Sequence, residues 1–178
     1  KKEEKIIMRI LLITEFFPDS RYQFSGGVET RTFFIAKNLS ERHQLVVISR
    51  RKRGEAQQES YKNLKIIRLG RQTEDIEAKF SSILPRFTFI TQSIIKGLQF
   101  QVDLVEGSNF ICLLPAFLVA FFKKIPAVAW YPDVYGIEWI KNFGLLTGIC
   151  GWLIEKIGLM LPWTQIIALS QQTKMKLI

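Results

Sequence analysis

An almost continuous aliphatic run stands near the start of the chain: Ile6-Ile7-Met8-Arg9-Ile10-Leu11-Leu12-Ile13. Short runs of this kind are typical of strands that are buried on both faces, as in a parallel sheet. A polar loop follows, and residues 28, 32, 35 and 39 then repeat with the spacing of one helix face. A second aliphatic run at residues 45–48 predicts a second strand. Strand, helix and strand in this order indicate an α/β domain.

The same alternation continues along the rest of the sequence. We predict further strands at residues 64–69, 102–106, 126–131 and 166–169, and helices at residues 83–100, 110–122 and 149–160. Ser170 has a suitable side chain to cap another helix, which begins near residue 171. Residues 50–63 are polar and strongly basic, which predicts a solvated loop. The expected fold is a Rossmann-like, doubly wound parallel sheet with helices on both faces.

Periodicity and composition also predict what is buried. The apolar face of the helix at 83–100 comprises residues 83, 87, 90, 94 and 98, and that of the helix at 149–160 comprises residues 149, 152, 153, 157 and 160. Cys112 and Cys150 lie in apolar surroundings, so we expect buried free thiols in a reducing compartment. The single histidine, His43, precedes the second strand and is expected to be structural. These residues offer no metal-binding pattern.

The chain of 178 residues is basic, with 25 lysines and arginines against 16 acidic residues and a net charge of +9. Such an excess favours anionic partners: nucleic acid, an acidic membrane surface or a phosphorylated small molecule. No aromatic-rich RNA-binding signature accompanies the charges, so no nucleic-acid partner is expected. The helix at 83–100 and the segment at 110–124 could form a basic, apolar surface that faces a membrane. Core packing is the alternative explanation for their apolar residues.

Candidate site residues follow from the expected topology, because ligands of open parallel sheets bind beyond the carboxyl ends of the strands. The polar residues at these ends include Glu106, Ser108, Asn109, Tyr131 and Asp133. Asp133 could take a proton or hold a hydroxyl group. It could equally be a turn residue that follows a proline. Glu106 could equally be an exposed strand-end charge or a cap for the next helix.

A pair of glycines, Gly26-Gly27, opens the first helix. Glycines at a helix start allow backbone N–H groups to approach an anion or a sugar hydroxyl array closely. Neither the dinucleotide fingerprint G-x-G-x-x-G nor a phosphate-binding loop of the Gly-Lys-Ser/Thr type is present. The alternative is a flexible loop that simply leads into a helix.

The order and spacing of these motifs resemble those of the retaining glycosyltransferases of family 4. That family typically shows a strand, Gly-Gly-x-Glu at a helix start, and Gly-His-x-Val before the second strand. The corresponding residues here are Gly26-Gly27-Val28-Glu29 and Arg42-His43-Gln44-Leu45. A third segment is similar to the strand and serine that end the family's N-terminal domain: Ile166-Ile167-Ala168-Leu169-Ser170-Gln171-Gln172-Thr173. The resemblance covers nearly the whole chain.

The resemblance implies a GT-B enzyme, in which two Rossmann-like domains flank a cleft. Residues 1–178 would form the N-terminal, acceptor-binding domain, while the donor-binding domain with its Glu-x7-Glu motif would lie outside this chain. The enzyme would move a hexosyl-type sugar with retention from a nucleotide-sugar, such as a UDP- or GDP-sugar, to a glycan or lipid-linked acceptor. No cofactor and no obligate metal are expected, and this part alone would be inactive. A cytoplasmic location is expected, with peripheral contact to the inner membrane face.

The resemblance also assigns roles to residues. Gly26 and Gly27 would face the donor phosphates, and Asp133 would be catalytic. By their strand-end position alone, the acceptor pocket would comprise Glu106, Ser108, Asn109 and Tyr131.

Two positions depart from the family pattern. Arg42 stands where the family often has glycine, and Pro132 stands where many members have the histidine that precedes Asp133. The second departure leaves open an altered catalytic arrangement or lost activity. The alternative function is therefore a non-catalytic, Rossmann-like binding module.

Overall fold

The computed structural model describes residues 6–18, 24, 26–73 and 83–177. Within this part of the chain, seven strands form a single sheet: β1 (Arg9–Thr14), β2 (Gln44–Lys52), β3 (Gln58–Tyr61), β4 (Leu64–Thr73), β5 (Leu104–Ser108), β6 (Ala127–Tyr131) and β7 (Gln165–Ala168). The helices are α1 (Gly27–Ser40), α2 (Ile83–Leu98), α3 (Phe110–Lys123), α4 (Glu138–Phe143), α5 (Leu145–Met160) and α6 (Gln171–Leu177).

The strand order is β3-β4-β2-β1-β5-β6-β7. All neighbours are parallel except the β3/β4 pair, which is antiparallel. The central strand β1 pairs with β2 on one side and with β5 on the other, so Leu11 lies opposite both Val46 and Val105. The chain first builds the sheet outward from β1 through β2 and β4, and then in the opposite direction through β5, β6 and β7. The change of direction places a topological switch point between β1 and β5.

Alternate residues of β1 supply the two halves of the core. Leu11 and Ile13 are fully buried and belong to the cluster that includes Phe89 of α2 and Ala116 of α3. Ile10 and Leu12 point to the opposite face and share a cluster with residues of α1, among them Ala36. Helices therefore cover both faces of a mainly parallel sheet. This confirms the predicted Rossmann-like α/β fold.

The prediction of a solvated loop at residues 50–63 is wrong. Strand β2 continues to Lys52, and residues 58–61 form the edge strand β3, which turns back to β4 through Lys62. The polar composition is compatible with a strand because β3 lies at the sheet edge and is mostly exposed. Arg50 is buried because it has an ion-pair partner, Glu15, at the end of β1.

The predicted buried face is wrong for α5 and only partly right for α2, where Ile90 packs against the core but Leu98 is exposed. In α2 the buried positions are Phe89, Ser93 and Gly97, whereas Phe87 is 63% exposed. In α5 the buried residues are three glycines and one acid, Gly148, Gly151, Glu155 and Gly158. Most apolar residues of α5 lie on the opposite, exposed side, while Leu159 packs against the core. The short helix α4 was not predicted at all.

The glycines explain why α5 packs with this face. A Cβ atom at Gly151 would lie 2.6 Å from the ring of Trp139 in α4, and one at Gly158 would lie 3.0 Å from Leu113 in α3. Larger side chains on this face would push the helix away from its neighbours. Periodicity of apolar residues therefore indicates the wrong face, because close approach of the backbone takes the place of side-chain packing.

Three smaller predictions have clear outcomes. Cys112 is fully buried, and burial raises the pKa of its thiol, but Cys150 is exposed, so the prediction of two buried thiols is wrong for Cys150. His43 is structural, because its Nδ1 accepts a hydrogen bond from the backbone N–H of Met8 at 3.2 Å. Ser170 caps α6, because its Oγ accepts a hydrogen bond from the backbone N–H of Thr173 at 3.1 Å.

Among the described residues, no helix is long and apolar enough to cross a membrane.

Candidate active site

A cavity of about 230 Å³ opens at the switch point, beyond the carboxyl ends of β1 and β5. Its lining comprises Glu15, Phe16, Gly26, Gly27, Val28, Glu29 and Asn109. Three of the predicted site residues, the two glycines and Asn109, are thus brought together here. The strand-end rule locates the cavity, because β1, β5 and the helices that follow them converge at this edge of the sheet.

The glycine pair forms one wall of the cavity at the start of α1. Gly26 is the N-cap residue and has an extended backbone with φ of −178°. A Cβ atom added at either glycine would meet no atom of the described residues within 4 Å. The space above the helix start is therefore open, and the partial positive charge of a 14-residue helix is directed into it. Such a helix end suits an anionic group.

Two buried carboxylates also line the cavity, and each is paired with a cation. Glu15 Oε1 lies 2.6 Å from Arg50 Nη1 and 2.9 Å from Arg86 Nε. Glu29 Oε1 lies 2.9 Å from Lys52 Nζ. Burial of a carboxylate without a partner would be costly, so these pairs allow acidic residues to stand beside the helix start. Sequence reasoning missed this network because Arg50 and Lys52 were assigned to a solvated loop.

A further buried arginine holds the segment that follows β1. Arg68 of β4 is 0% exposed; its Nη2 donates to the carbonyl oxygen of Pro18 at 3.0 Å, and its Nη1 donates to Glu59 at 2.8 Å. The guanidinium group thereby links β3, β4 and the loop that carries Phe16 and Phe17. This role could not be read from the sequence, where Arg68 only marked the end of a strand.

The predicted residues Glu106 and Ser108 lie side by side at the end of β5. Both are buried, and Ser108 Oγ donates a hydrogen bond to Glu106 Oε1 at 3.1 Å. The same carboxylate oxygen accepts a hydrogen bond from Arg31 Nη1 of α1. The Arg31 guanidinium also lies 4.6 Å from the ring centroid of Trp130. In this geometry Glu106 and Ser108 fix an arginine of the first helix.

Asn109 joins the cavity to α3. Its Oδ1 accepts a hydrogen bond from the backbone N–H of Phe110 at 2.7 Å and so caps the helix. Its φ of 79° is unusual for a residue other than glycine. Backbone strain of this kind is maintained only where the surrounding structure enforces it.

Tyr131 lies apart from the cavity lining and is 2% exposed. Its hydroxyl group donates a hydrogen bond to Glu155 Oε1 of α5 at 2.7 Å. Burial and, next, this hydrogen bond raise the pKa of Tyr131, so the phenol remains neutral. In this position Tyr131 supports the end of β6.

The Glu155 carboxylate holds the loop that follows β6. It accepts hydrogen bonds from the backbone N–H groups of Tyr135, at 3.0 Å, and Gly136, at 2.7 Å, in addition to Tyr131. Gly136 has a φ of 54°, a conformation that favours glycine. Glu155 is 2% exposed and was not predicted as a site residue, because its position in α5 gave no sign of its partners.

Asp133 belongs to this same loop but is not among the described residues that line the cavity. Its side chain is 55% exposed and pairs with Lys176 of α6 at 2.9 Å. The preceding Pro132 carbonyl oxygen accepts a hydrogen bond from Thr173 Oγ1 at 2.9 Å. The loop is therefore held by α5 on one side and by α6 on the other. Its predicted catalytic role stays a prediction.

A sequence model of the family described as Glycosyltransferase Family 4 matches residues 25–178. The chain belongs to this family. The resemblance noted from the sequence is thereby confirmed, and the glycine-pair loop and the Ser170 segment both lie within the match. No curated protein sequence matches the chain significantly.

Solved structures show the same fold. Sucrose-phosphate synthase from Thermosynechococcus elongatus superposes with a TM-score of 0.67 at 14% identity, over 96% of this chain and 44% of that chain. Anabaena HepE in complex with UDP-glucose superposes with a TM-score of 0.55 at 13% identity, over 96% of this chain and 40% of that chain. The chain thus spans less than half the length of these two proteins. At such low identity the likeness concerns the fold.

The three hydrogen bonds that the Glu155 carboxylate accepts lead to a prediction about stability. In a Glu155→Gln variant one of the two acceptor oxygens is replaced by an amide NH2 group, which cannot accept a hydrogen bond. We expect the free energy of unfolding to fall by about 1–3 kcal/mol, as for other buried polar groups left unsatisfied. Chemical denaturation measures the difference. The exposed Glu138→Gln variant is the control and should change stability by less than about 0.5 kcal/mol. Equal effects of the two substitutions would contradict the assigned role.

Proposed function

We propose that this chain is the N-terminal, acceptor-side half of a glycosyltransferase that uses a nucleotide-sugar donor. The acceptor is a glycan or a lipid-linked molecule, and the sugar is of the hexosyl type and is transferred with retention. The observation that carries the proposal is the open cavity at the switch point, where Gly26 and Gly27 begin α1. Membership of Glycosyltransferase Family 4 supports the reaction class.

In this arrangement the donor phosphates would contact the first turn of α1. The N-terminus of α1 favours the negative charge of a nucleoside diphosphate, both as bound donor and as leaving group. The complex of HepE with UDP-glucose supports a UDP-sugar as the first donor to examine. Among the described residues, no cluster of three histidine, cysteine, aspartate or glutamate side chains could hold a metal ion. We propose that the N-terminal end of α1 stabilises the diphosphate without a cofactor.

A non-catalytic binding module is the second candidate. Pro132 replaces the histidine expected from the family pattern, and Asp133 pairs with Lys176 outside the lining of the cavity. Both observations favour a site that binds a sugar or nucleotide without transferring it. Two substitutions in the complete gene product distinguish the candidates.

Replacement of Gly27 tests whether the donor phosphates bind at the start of α1. A valine at this position would fill the open space above the start of α1, since no atom of the described chain lies within 4 Å of its Cβ position. We expect Gly27→Val to lower kcat/KM for the nucleotide-sugar at least about tenfold, which corresponds to roughly 1.4 kcal/mol. Release of UDP or GDP measures the rate. Lys37→Val, in the last turn of α1, controls for substitution on the same helix, and unchanged turnover of Gly27→Val would remove the glycine from the site.

Replacement of Asp133 tests the catalytic proposal. If the carboxylate takes part in proton transfer, Asp133→Asn lowers kcat by about a hundredfold or more and changes KM less. Lys176→Met is the matched control, because it removes the same ion pair and retains the carboxylate. Equal losses of kcat in the two variants would show that Asp133 only anchors α6. The hypothesis of a non-catalytic binding module would then be favoured.

A further inference from the structure

Helix α5 presents its apolar side to solvent. The exposed residues on this side are Leu145, Leu146, Ile149, Leu153, Ile154, Ile157 and Met160. Nothing in the described part of the chain covers them, because α4 and α3 pack against the glycine face. A surface helix of a globular protein normally turns its polar side outward, and a continuous exposed apolar patch marks an interaction site.

The dimensions and charges of α5 favour a bilayer surface as its partner. Its 16 residues extend about 24 Å, at about 1.5 Å per residue, which is too short to cross the hydrocarbon core. Lys156 is exposed and lies with its Nζ 5.1 Å from the ring centroid of Trp152. Lys141, on the neighbouring helix α4, is also exposed, and its Nζ pairs with Glu138 Oε1 at 2.6 Å. Lysine beside tryptophan at the edge of an apolar face is typical of helices that lie in the interface of an anionic membrane, and the chain carries a net charge of +9.

An apolar cleft of about 100 Å³ opens beside this face, between α2, α3, α4 and α5. Its lining comprises Arg86, Phe87, Ile90, Phe110, Ile111, Trp139, Thr147, Cys150, Gly151 and Ile154. Ile154 belongs both to the cleft and to the exposed face of α5, so the two are continuous. The apolar lining suits a hydrocarbon chain.

The cleft also adjoins the candidate active site. Arg86 lines the cleft, and its Nε bonds to Glu15, which lines the cavity at the switch point. Phe110 of the cleft directly follows Asn109 of the cavity. A polar pocket and an apolar cleft therefore share a wall, at which an arginine is placed. A molecule with a polar head and a hydrocarbon chain matches this pair of sites.

We propose that α5 lies on an anionic bilayer and that the cleft receives the hydrocarbon chain of a lipid-carried acceptor whose head reaches the cavity. This deepens the proposed function and rests on it, since it specifies the acceptor as lipid-linked. The membrane surface expected from the sequence, on the helix at 83–100 and the segment at 110–124, stays a prediction, since Leu84, Phe87 and Ile95 of α2 are exposed. Half of the residues of α3 are buried, and its exposed aromatic residues are Phe121 and Phe122 near its C-terminal end.

The two cysteines make a direct experiment possible. Cys150 is exposed and lines the cleft, whereas Cys112 is fully buried, so a polarity-sensitive fluorophore can be attached to Cys150 alone. The labelled protein is mixed with phosphatidylcholine vesicles that contain phosphatidylglycerol, and flotation and the emission spectrum are recorded. We expect flotation together with a blue shift, both reduced by added salt and by omission of phosphatidylglycerol.

A variant of the exposed apolar side of α5 provides the control. Ile149→Gln, Leu153→Gln and Ile157→Gln combined should lower vesicle partitioning at least about tenfold, because three apolar side chains no longer enter the interface. All three residues are exposed, so the fold should tolerate the change. Tyr61→Gln, an exposed substitution on β3 at the other sheet edge, should leave partitioning unchanged.

Three results would overturn the proposal. The first is absence of vesicle binding at low salt. The second is a blue shift that follows protein concentration without vesicles, which would indicate a second copy of the chain on this face. The third is vesicle binding with an unshifted spectrum, which would mean that the part of α5 around Cys150 does not face the hydrocarbon of the bilayer. Titration of the same protein with a soluble nucleotide-sugar tests the donor site independently, so failure of the membrane proposal and failure of the glycosyltransferase proposal are distinguishable.

Discussion

The buried carboxylate of Glu15 imposes the constraint on which the architecture of the site depends. Glu15 follows β1 and is 4% exposed, so it requires cations from elsewhere in the fold. Arg50 comes from β2 and Arg86 from α2, and both reach the same carboxylate oxygen. Three elements are thereby fixed around the switch point. The polar cavity lies on one side of this cluster, and the apolar cleft lies on the other.

Several of the basic residues of the chain form ion pairs inside the protein. Buried glutamates of the described chain pair with Arg31, Arg50, Lys52, Arg68 and Arg86. These cations stabilise the carboxyl edge of the sheet. They are thus engaged within the protein, although the net charge of +9 already counts the glutamates that pair with them. Glu155 is the contrasting case, because its hydrogen-bond donors are two backbone N–H groups and a tyrosine hydroxyl.

Local patterns predicted the sheet and part of the site but misjudged several surfaces. Strand β1 and the glycine pair were recognisable because each carries its signal within a few adjacent residues. Asn109 followed from the strand-end rule, and Gly26 and Gly27 from their position at a helix start and the family resemblance. The orientation of α5 was unpredictable because its contacts depend on glycines, which contribute nothing to an apolar periodicity. The burial of Arg50 and Arg68 depends on partners distant in sequence; composition assigned Arg50 to a solvated loop and gave no sign of the partners of Arg68.

The central claim is that the cavity at the switch point receives the diphosphate of the donor. Backbone amide NMR spectra of the labelled chain, recorded during titration with UDP and with GDP, test it most directly. The account predicts saturable shifts at Gly27, Val28 and Glu29 and at Asn109, with smaller changes elsewhere. Saturable shifts confined to another surface, such as the pocket between β7 and α6, would contradict the claim.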